Sequence, residues 1–123
     1  LLGSTAHDVQ VDRLRSAQAL AERFGCVVLL KGSGSIVAAP GQVPGINPTG
    51  NASLATAGTG DVLAGWLGGL WAQDGRGERA FDIASAAAHA HGAAADAAGV
   101  SPLRAADLIE AMLAAQPRAT LLS

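Results

Sequence analysis

Thr56-Ala57-Gly58-Thr59-Gly60-Asp61-Val62-Leu63-Ala64-Gly65 is the stretch from which the fold and the chemistry are both read. Gly58 and Gly60 permit backbone angles that turn successive N–H groups toward one point. The helix predicted to begin near Asp61 adds the unpaired amides of its first turn and the positive end of its dipole. Together these make an anion cradle that needs no lysine. The competing reading is an ordinary turn whose acidic residue is favoured by the dipole. Asp61 either caps the helix or does chemistry. A carboxylate beside an anion site is repelled by the anion, so its presence makes better sense as a base that takes a proton from a substrate hydroxyl. Further along, Gly65, Gly68 and Gly69 leave room for another backbone, and Trp66 and Trp71 are expected in the core.

Outward from this stretch the chain alternates helix and strand. Val11, Leu14, Ala17, Leu20 and Phe24 recur every three or four residues, which predicts a helix over 9–24 with Asp8 as N-cap and Gly25 at its end. Residues 26–30 form a continuous apolar run of strand length. A second strand follows over 35–39, then a Pro40-Gly41 turn and a weak strand or loop over 42–46. A helix followed by a fully apolar strand predicts a parallel sheet covered on both faces. Residues 47–51 are a loop by composition, and helix returns over 61–73, closed by Asp74-Gly75-Arg76-Gly77. A long alanine-rich helix is predicted over 78–98. A last helix spans 103–115, with Ser101 and Pro102 at its start and Pro117 beyond its end. No repeat, linker or charge run marks a second domain.

The chain has 123 residues and a formal net charge of −2. That length fits one domain with a modest core and is small for a complete nucleotide-using enzyme, so the chain is expected to be part of something larger. Half the residues are apolar, yet only two Phe and two Trp are present, which predicts closely packed helices over bulky aromatic cores. The charge balance offers no basic patch for counterion release, which argues against nucleic acid or an anionic membrane as partner. Cys26, the single cysteine, excludes an internal disulfide and a CxxC metal site, and its apolar neighbours predict a buried position. The opening Leu1-Leu2-Gly3-Ser4 has neither the apolar length nor the basic flank of a signal peptide, and the start without Met hints at truncation. The apolar stretches 62–72 and 84–100 are too short or too alanine-dominated to span a bilayer, and the second contains His89, His91 and Asp96. A cytoplasmic location is expected.

A second glycine cluster, Lys31-Gly32-Ser33-Gly34-Ser35, directly follows the apolar strand, where open α/β sheets place ligands. Lys31 can meet a phosphate and the serines can donate hydroxyl hydrogens, but the pattern equally suits a tight strand-to-strand connection. Neither cluster is a Walker loop, because no G-x-x-x-x-G-K-[ST] occurs, and Leu63 holds the last position of a would-be G-x-G-x-x-G. His89 and His91 lie two apart, about 200° around a helix, so they cannot form an i, i+4 zinc pair and read as packing or surface residues. Asn51-Ala52-Ser53 matches a glycosylation sequon but lacks a secretory context.

Taken in order, Leu29-Leu30-Lys31-Gly32-Ser33-Gly34-Ser35, Asn47-Pro48-Thr49-Gly50-Asn51 and Ala55-Thr56-Ala57-Gly58-Thr59-Gly60-Asp61-Val62-Leu63-Ala64-Gly65 resemble the ADP- or ATP-dependent NAD(P)H-hydrate dehydratases. These are carbohydrate-kinase-like enzymes of the ribokinase-like superfamily. The likeness runs over nearly the whole chain, from Leu1-Leu2-Gly3 to Ala106-Asp107-Leu108-Ile109. The ordered set of three motifs is specific, whereas GTGD alone is shared with many ribokinase-like kinases. The resemblance implies an α/β fold: the C-terminal portion of a ribokinase-like parallel-sheet sandwich, helix-rich in its second half. Residues 1–123 would form the C-terminal part of a single catalytic domain whose N-terminal half, with a histidine-containing substrate segment, is absent. It further implies repair of hydrated NADH or NADPH (NADHX or NADPHX) by nucleotide-driven phosphorylation of the hydrate hydroxyl and loss of phosphate. By the same resemblance Lys31, Gly32, Ser33, Gly34 and Ser35, together with Asn51, Thr56, Gly58, Thr59 and Gly60, lie against ADP or ATP with its Mg2+. Asp61 contacts the hydrate and is the expected base. The complete enzyme is expected to be a homo-oligomer. Ala52 and Ser53 stand where the family often has proline and glycine. The alternatives are a small-molecule kinase of the hydroxyethylthiazole or sugar type and a noncatalytic nucleotide-binding fragment.

Overall fold

Helix α1 (Arg13–Phe24) turns Ala17 and Ala21 inward and ends at Gly25, whose left-handed backbone at φ 60° starts the turn into the sheet. The computed structural model describes residues 12–32, 34–75, 78–99 and 102–116. The helix start expected at Val9 and the cap expected at Asp8 fall outside these. Asp12 is the N-cap, and its carboxylate pairs on the surface with Arg15 at 3.1 Å.

Three short strands follow: β1 (Val28–Leu30), β2 (Ile36–Ala38) and β3 (Gly45–Ile46), in spatial order β1-β2-β3. Both pairings are antiparallel, with Leu29 opposite Val37 and Ile36 opposite Ile46. The expected parallel pairing is therefore corrected for the strands of this chain. A parallel return needs a crossover of a dozen or more residues, and the connections here are far shorter. The apolar character of the strands has another source. β2 is buried at all three positions because α1 covers one face while the long helix introduced below packs on β2. Ile36 and Ala38 join Ala17 and Ala21 in one apolar cluster, with Val28 and Leu30 against it. Cys26 is exposed, contrary to the expected burial, because it sits in the corner after Gly25 and before the first paired residue of β1.

A single turn of 3-10 helix (Ala52–Ala55) leads into α2 (Thr59–Ala72), then α3 (Ala80–Ala98) and α4 (Ala105–Ala115). α2 begins two residues before the expected start because Gly58 takes the N-cap position with φ 87°, a conformation that side chains rarely adopt. The second core lies where α3 and α4 meet, built from Ala94, Ala95, Leu103, Leu108 and Met112, with Val62 and Trp66 of α2 leaning on it. Alanine lets these helices approach closely, and the chain therefore buries a core without large aromatics. Trp66 takes its expected place, but Trp71 is 51% exposed. A Cβ at Gly65, Gly68 or Gly69 would meet nothing within 4 Å, so among the described residues no backbone occupies the space those glycines leave. α2 is apolar on nearly all sides, and the neighbours α3 and α4 take up only one of them. Asp107 caps the start of α4: its Oδ2 accepts from the Arg104 backbone N–H at 3.0 Å and its Oδ1 from the Arg104 guanidinium at 2.9 Å. The caps expected at Ser101 and Pro117 lie outside the described residues. Among the described residues no helix is long and apolar enough to cross a membrane.

Candidate functional site

The connection between β1 and β2 carries Lys31, Gly32, Gly34 and Ser35, and it faces the start of α2 across a cleft of about 440 Å³. The glycine cluster is a strand-to-strand connection, and its described residues line the cleft. Ser35 Oγ closes the connection on itself, lying 3.3 Å from the Gly32 N–H and 3.2 Å from its carbonyl. Arg13 braces it from α1, donating to the Gly34 carbonyl at 3.2 Å and the Leu30 carbonyl at 3.3 Å. Arg13 had no motif to mark it. Ser33 lies outside the described residues.

Across the cleft stand Thr59 and Gly60, the first two residues of α2. A Cβ on Gly60 would lie 2.5 Å from Lys31 Nζ, which puts the ammonium group directly over the helix start. Free first-turn amides, the positive end of the helix dipole and a lysine ammonium thus meet at one spot, an arrangement that favours a phosphate. The Thr59 side chain points the other way: it is 4% exposed, with Oγ1 2.8 Å from the Thr56 carbonyl. Thr56 Oγ1 in turn donates to the Ser53 carbonyl at 2.9 Å. These threonines shape the loop, and the Thr59 N–H also turns back to the Thr56 carbonyl at 3.4 Å, which leaves the Gly60 amide as the one facing the cleft. Thr56, Gly58 and Asp61 do not line the cleft. Asp61 is the third residue of α2, directly after the cleft-lining Gly60, and it is exposed.

The third wall comes from α3, which sequence reasoning left as packing. His91 is buried and its Nε2–H donates to the Thr59 carbonyl at 2.9 Å, tying α3 to the first residue of α2. Gly92 lets the loop pass directly over the helix, since a Cβ there would stand 2.6 Å from the Thr49 carbonyl carbon and 2.7 Å from its oxygen. Asn47 Nδ2 donates to the Ala88 carbonyl at 2.9 Å and Thr49 Oγ1 to the His89 carbonyl at 3.0 Å. Asp96 accepts from the Gly50 N–H and from Asn51 Nδ2, each at 2.9 Å. Those two donors hold its carboxyl below the usual carboxylate value. The signal available in the sequence was the break that His91-Gly92 makes in a run of alanines.

Burial lowers the His91 pKa and the Lys31 charge adds to this, while the bond to Thr59 works against both. A group whose folded pKa lies below its unfolded value binds more protons unfolded, so stability falls as pH drops below the ordinary histidine value of 6.5. Thermal denaturation at successive pH values should show this slope, and His91→Gln, which keeps an Nε2–H donor but does not titrate, should lack that part of it.

The sequence model of the NAD(P)H-hydrate dehydratase family matches residues 1–116. The ADP-dependent (S)-NAD(P)H-hydrate dehydratase of Neisseria meningitidis serogroup B is 48% identical over 96 residues, which cover 78% of this chain and 31% of that protein. The bifunctional NAD(P)H-hydrate repair enzyme of Escherichia coli is 45% identical over 96 residues, 78% of this chain and 18% of its own length. The crystal structure of the Bacillus subtilis ADP/ATP-dependent NAD(P)H-hydrate dehydratase, co-crystallized with ATP and Mg2+, superposes with a TM-score of 0.81 at 30% identity, over 92% of this chain and 41% of that one. The α/β fold is shared with that structure. The chain spans less than a third of the length of these two curated relatives.

Proposed function

We propose that this chain, which belongs to the NAD(P)H-hydrate dehydratase family, forms the nucleotide-phosphate side of an enzyme that converts hydrated NADH or NADPH back to NAD(P)H. The observation that carries the reading is the meeting of Lys31 with the free amides at the start of α2. The donor is ADP or ATP. Its terminal phosphoryl group passes to the hydrate hydroxyl, leaving AMP or ADP, and the hydroxyl proton goes to a carboxylate; departure of inorganic phosphate together with a proton from the neighbouring ring carbon then restores the double bond. Lys31 and the amide of Gly60 would bind the phosphates, and Asp61, next along the helix, would take the proton. Among the described residues no three His, Cys, Asp or Glu side chains cluster as a metal site. Mg2+ would therefore come in on the phosphate oxygens, where it neutralises charge on the group being transferred. Residues 1–123 are read as the C-terminal part of one ribokinase-like catalytic domain. The complete enzyme is read as homo-oligomeric on the family resemblance, and as cytoplasmic on the amino-acid sequence.

Calorimetric titration with ADP and with ATP plus Mg2+ tests the binding half of this reading. Saturable binding is expected, and Gly60→Val should weaken it by about tenfold or more, because the added side chain occupies the cradle and drives Lys31 off it. A folded chain with no affinity for either nucleotide would remove the basis of the assignment. Product analysis decides the chemistry. A dehydratase releases free phosphate and reduced nicotinamide nucleotide, whereas a kinase leaves a stable phosphorylated product.

A further inference from the structure

Loop 47–51 has no regular hydrogen bonding of its own, yet it forms one wall of the cleft. Asn47 Oδ1 holds its first turn by accepting from the Thr49 N–H at 3.2 Å, and the rest is ordered by contacts to other elements, which offset the conformational entropy lost with every residue fixed. Those contacts converge on α3, and the ones at the far end of the loop converge on one side chain. Asp96 uses both carboxylate oxygens, Oδ2 for the Gly50 N–H and Oδ1 for Asn51 Nδ2. Asn51 is then oriented so that its own Oδ1 accepts from the Ser53 N–H at 2.9 Å and caps the 3-10 turn. That turn supplies the Leu54 and Thr56 carbonyls, against which the Thr59 hydroxyl is packed at the start of α2. A continuous series of bonds therefore runs from Asp96 through Asn51 to the phosphate cradle.

We infer that Asp96 is a positioning residue, which locks the Gly50–Asn51 corner through both carboxylate oxygens and so sets nucleotide affinity without touching the nucleotide. The inference rests on the proposed nucleotide-binding reading. It also gives Asn51 a structural task. Its amide is held on the oxygen side by the Ser53 N–H and through one Nδ2 hydrogen by Asp96, so it brackets the loop at the edge of the cleft.

The polarity of the corner gives a stringent test. In Asp96→Asn one carboxylate oxygen becomes an NH2 group that faces Asn51 Nδ2, donor against donor. In Asn51→Asp two carboxylates face each other. The double exchange Asn51→Asp/Asp96→Asn restores all three bonds with the polarity of one of them reversed. The amide introduced at position 96 donates to the carboxylate introduced at position 51 and still accepts from the Gly50 N–H, while that carboxylate still accepts from the Ser53 N–H. Each single variant is expected to weaken ADP and MgATP binding about tenfold, and the double variant should return to within about twofold of the parent. Amide hydrogen exchange at Gly50 and Ser53, measured without nucleotide, should quicken in the single variants and slow again in the double. Single variants that bind as the parent does, or a double variant no better than either single, would overturn the inference. If the parent binds no nucleotide, the nucleotide reading fails separately. The positioning role then stands or falls on the exchange of Gly50 and Ser53 alone.

Discussion

Asp61→Ala in the complete enzyme is expected to abolish turnover while ADP and ATP still bind. Asp61 does not line the cleft, and alanine in its place keeps the backbone of the helix start, where the Gly60 amide and Lys31 face the cleft. Removing its carboxylate takes away a proton acceptor and also relieves a negative charge close to bound phosphate. Loss of a positioned base costs about 10²- to 10⁴-fold in rate, whereas the electrostatic change at an exposed carboxylate favours binding slightly if at all. Steady-state kinetics with the hydrate as substrate, set beside calorimetric nucleotide binding, separates the two effects. Normal turnover by the variant would show that the base is elsewhere, and lost nucleotide binding with lost turnover would make Asp61 a structural cap.

Gly92→Ala is the second large effect, and ordinary helix energetics points the wrong way for it. In an exposed helix interior, alanine is more favourable than glycine by about 1 kcal/mol. At Gly92 the added methyl group would overlap Thr49 Oγ1 and stand 2.6 and 2.7 Å from backbone atoms of Thr49. Backbone cannot step aside as a lysine tip can. The loop must lift off α3 and give up the bonds that Asn47 and Thr49 make to it, at an expected net cost of about 1–3 kcal/mol. Gly68→Ala on α2, where the new methyl group meets nothing within 4 Å, is the matched control and should be neutral or slightly stabilising in this chain. Thermal denaturation of the two variants, with ADP titration of each, checks the contrast. A Gly92→Ala protein as stable as the control would mean that the loop does not rest on the helix.

The sequence carried the parts of the site that are local. Gly58-Thr59-Gly60 announces a helix start with open amides because glycine spacing and helix capping act over a few residues, and α2 begins there. The helix ends at Gly25 and Gly99 were equally local, each a left-handed residue. The sheet was misread because apolar run length reports burial and not direction. The short gap between Leu30 and Ile36 was the better guide. Cys26 and Trp71 were misplaced for a related reason: an apolar run does not say where pairing begins or which side of a helix is covered. The roles of His91, Gly92 and Asp96 were marked in the sequence only by the break that His91-Gly92 makes in the alanine run. An alanine-rich helix presents buried and exposed positions in the same residue type, so it has little periodicity to read, and the partners of these three residues lie 32 to 46 positions away.

That sequence separation also governs the order of assembly. The α1 corner and the β1–β2 hairpin close over short loops, whereas the bonds from loop 47–51 to α3 close loops of 40 to 46 residues. Loop closure on that scale costs about 3 kcal/mol in chain entropy before a single contact offsets it. The cleft wall is therefore expected to form after the local hairpin during folding and to open before it in a thermal fluctuation. A bound nucleotide, seated where the late-forming wall meets the start of α2, would act on that wall as a clasp.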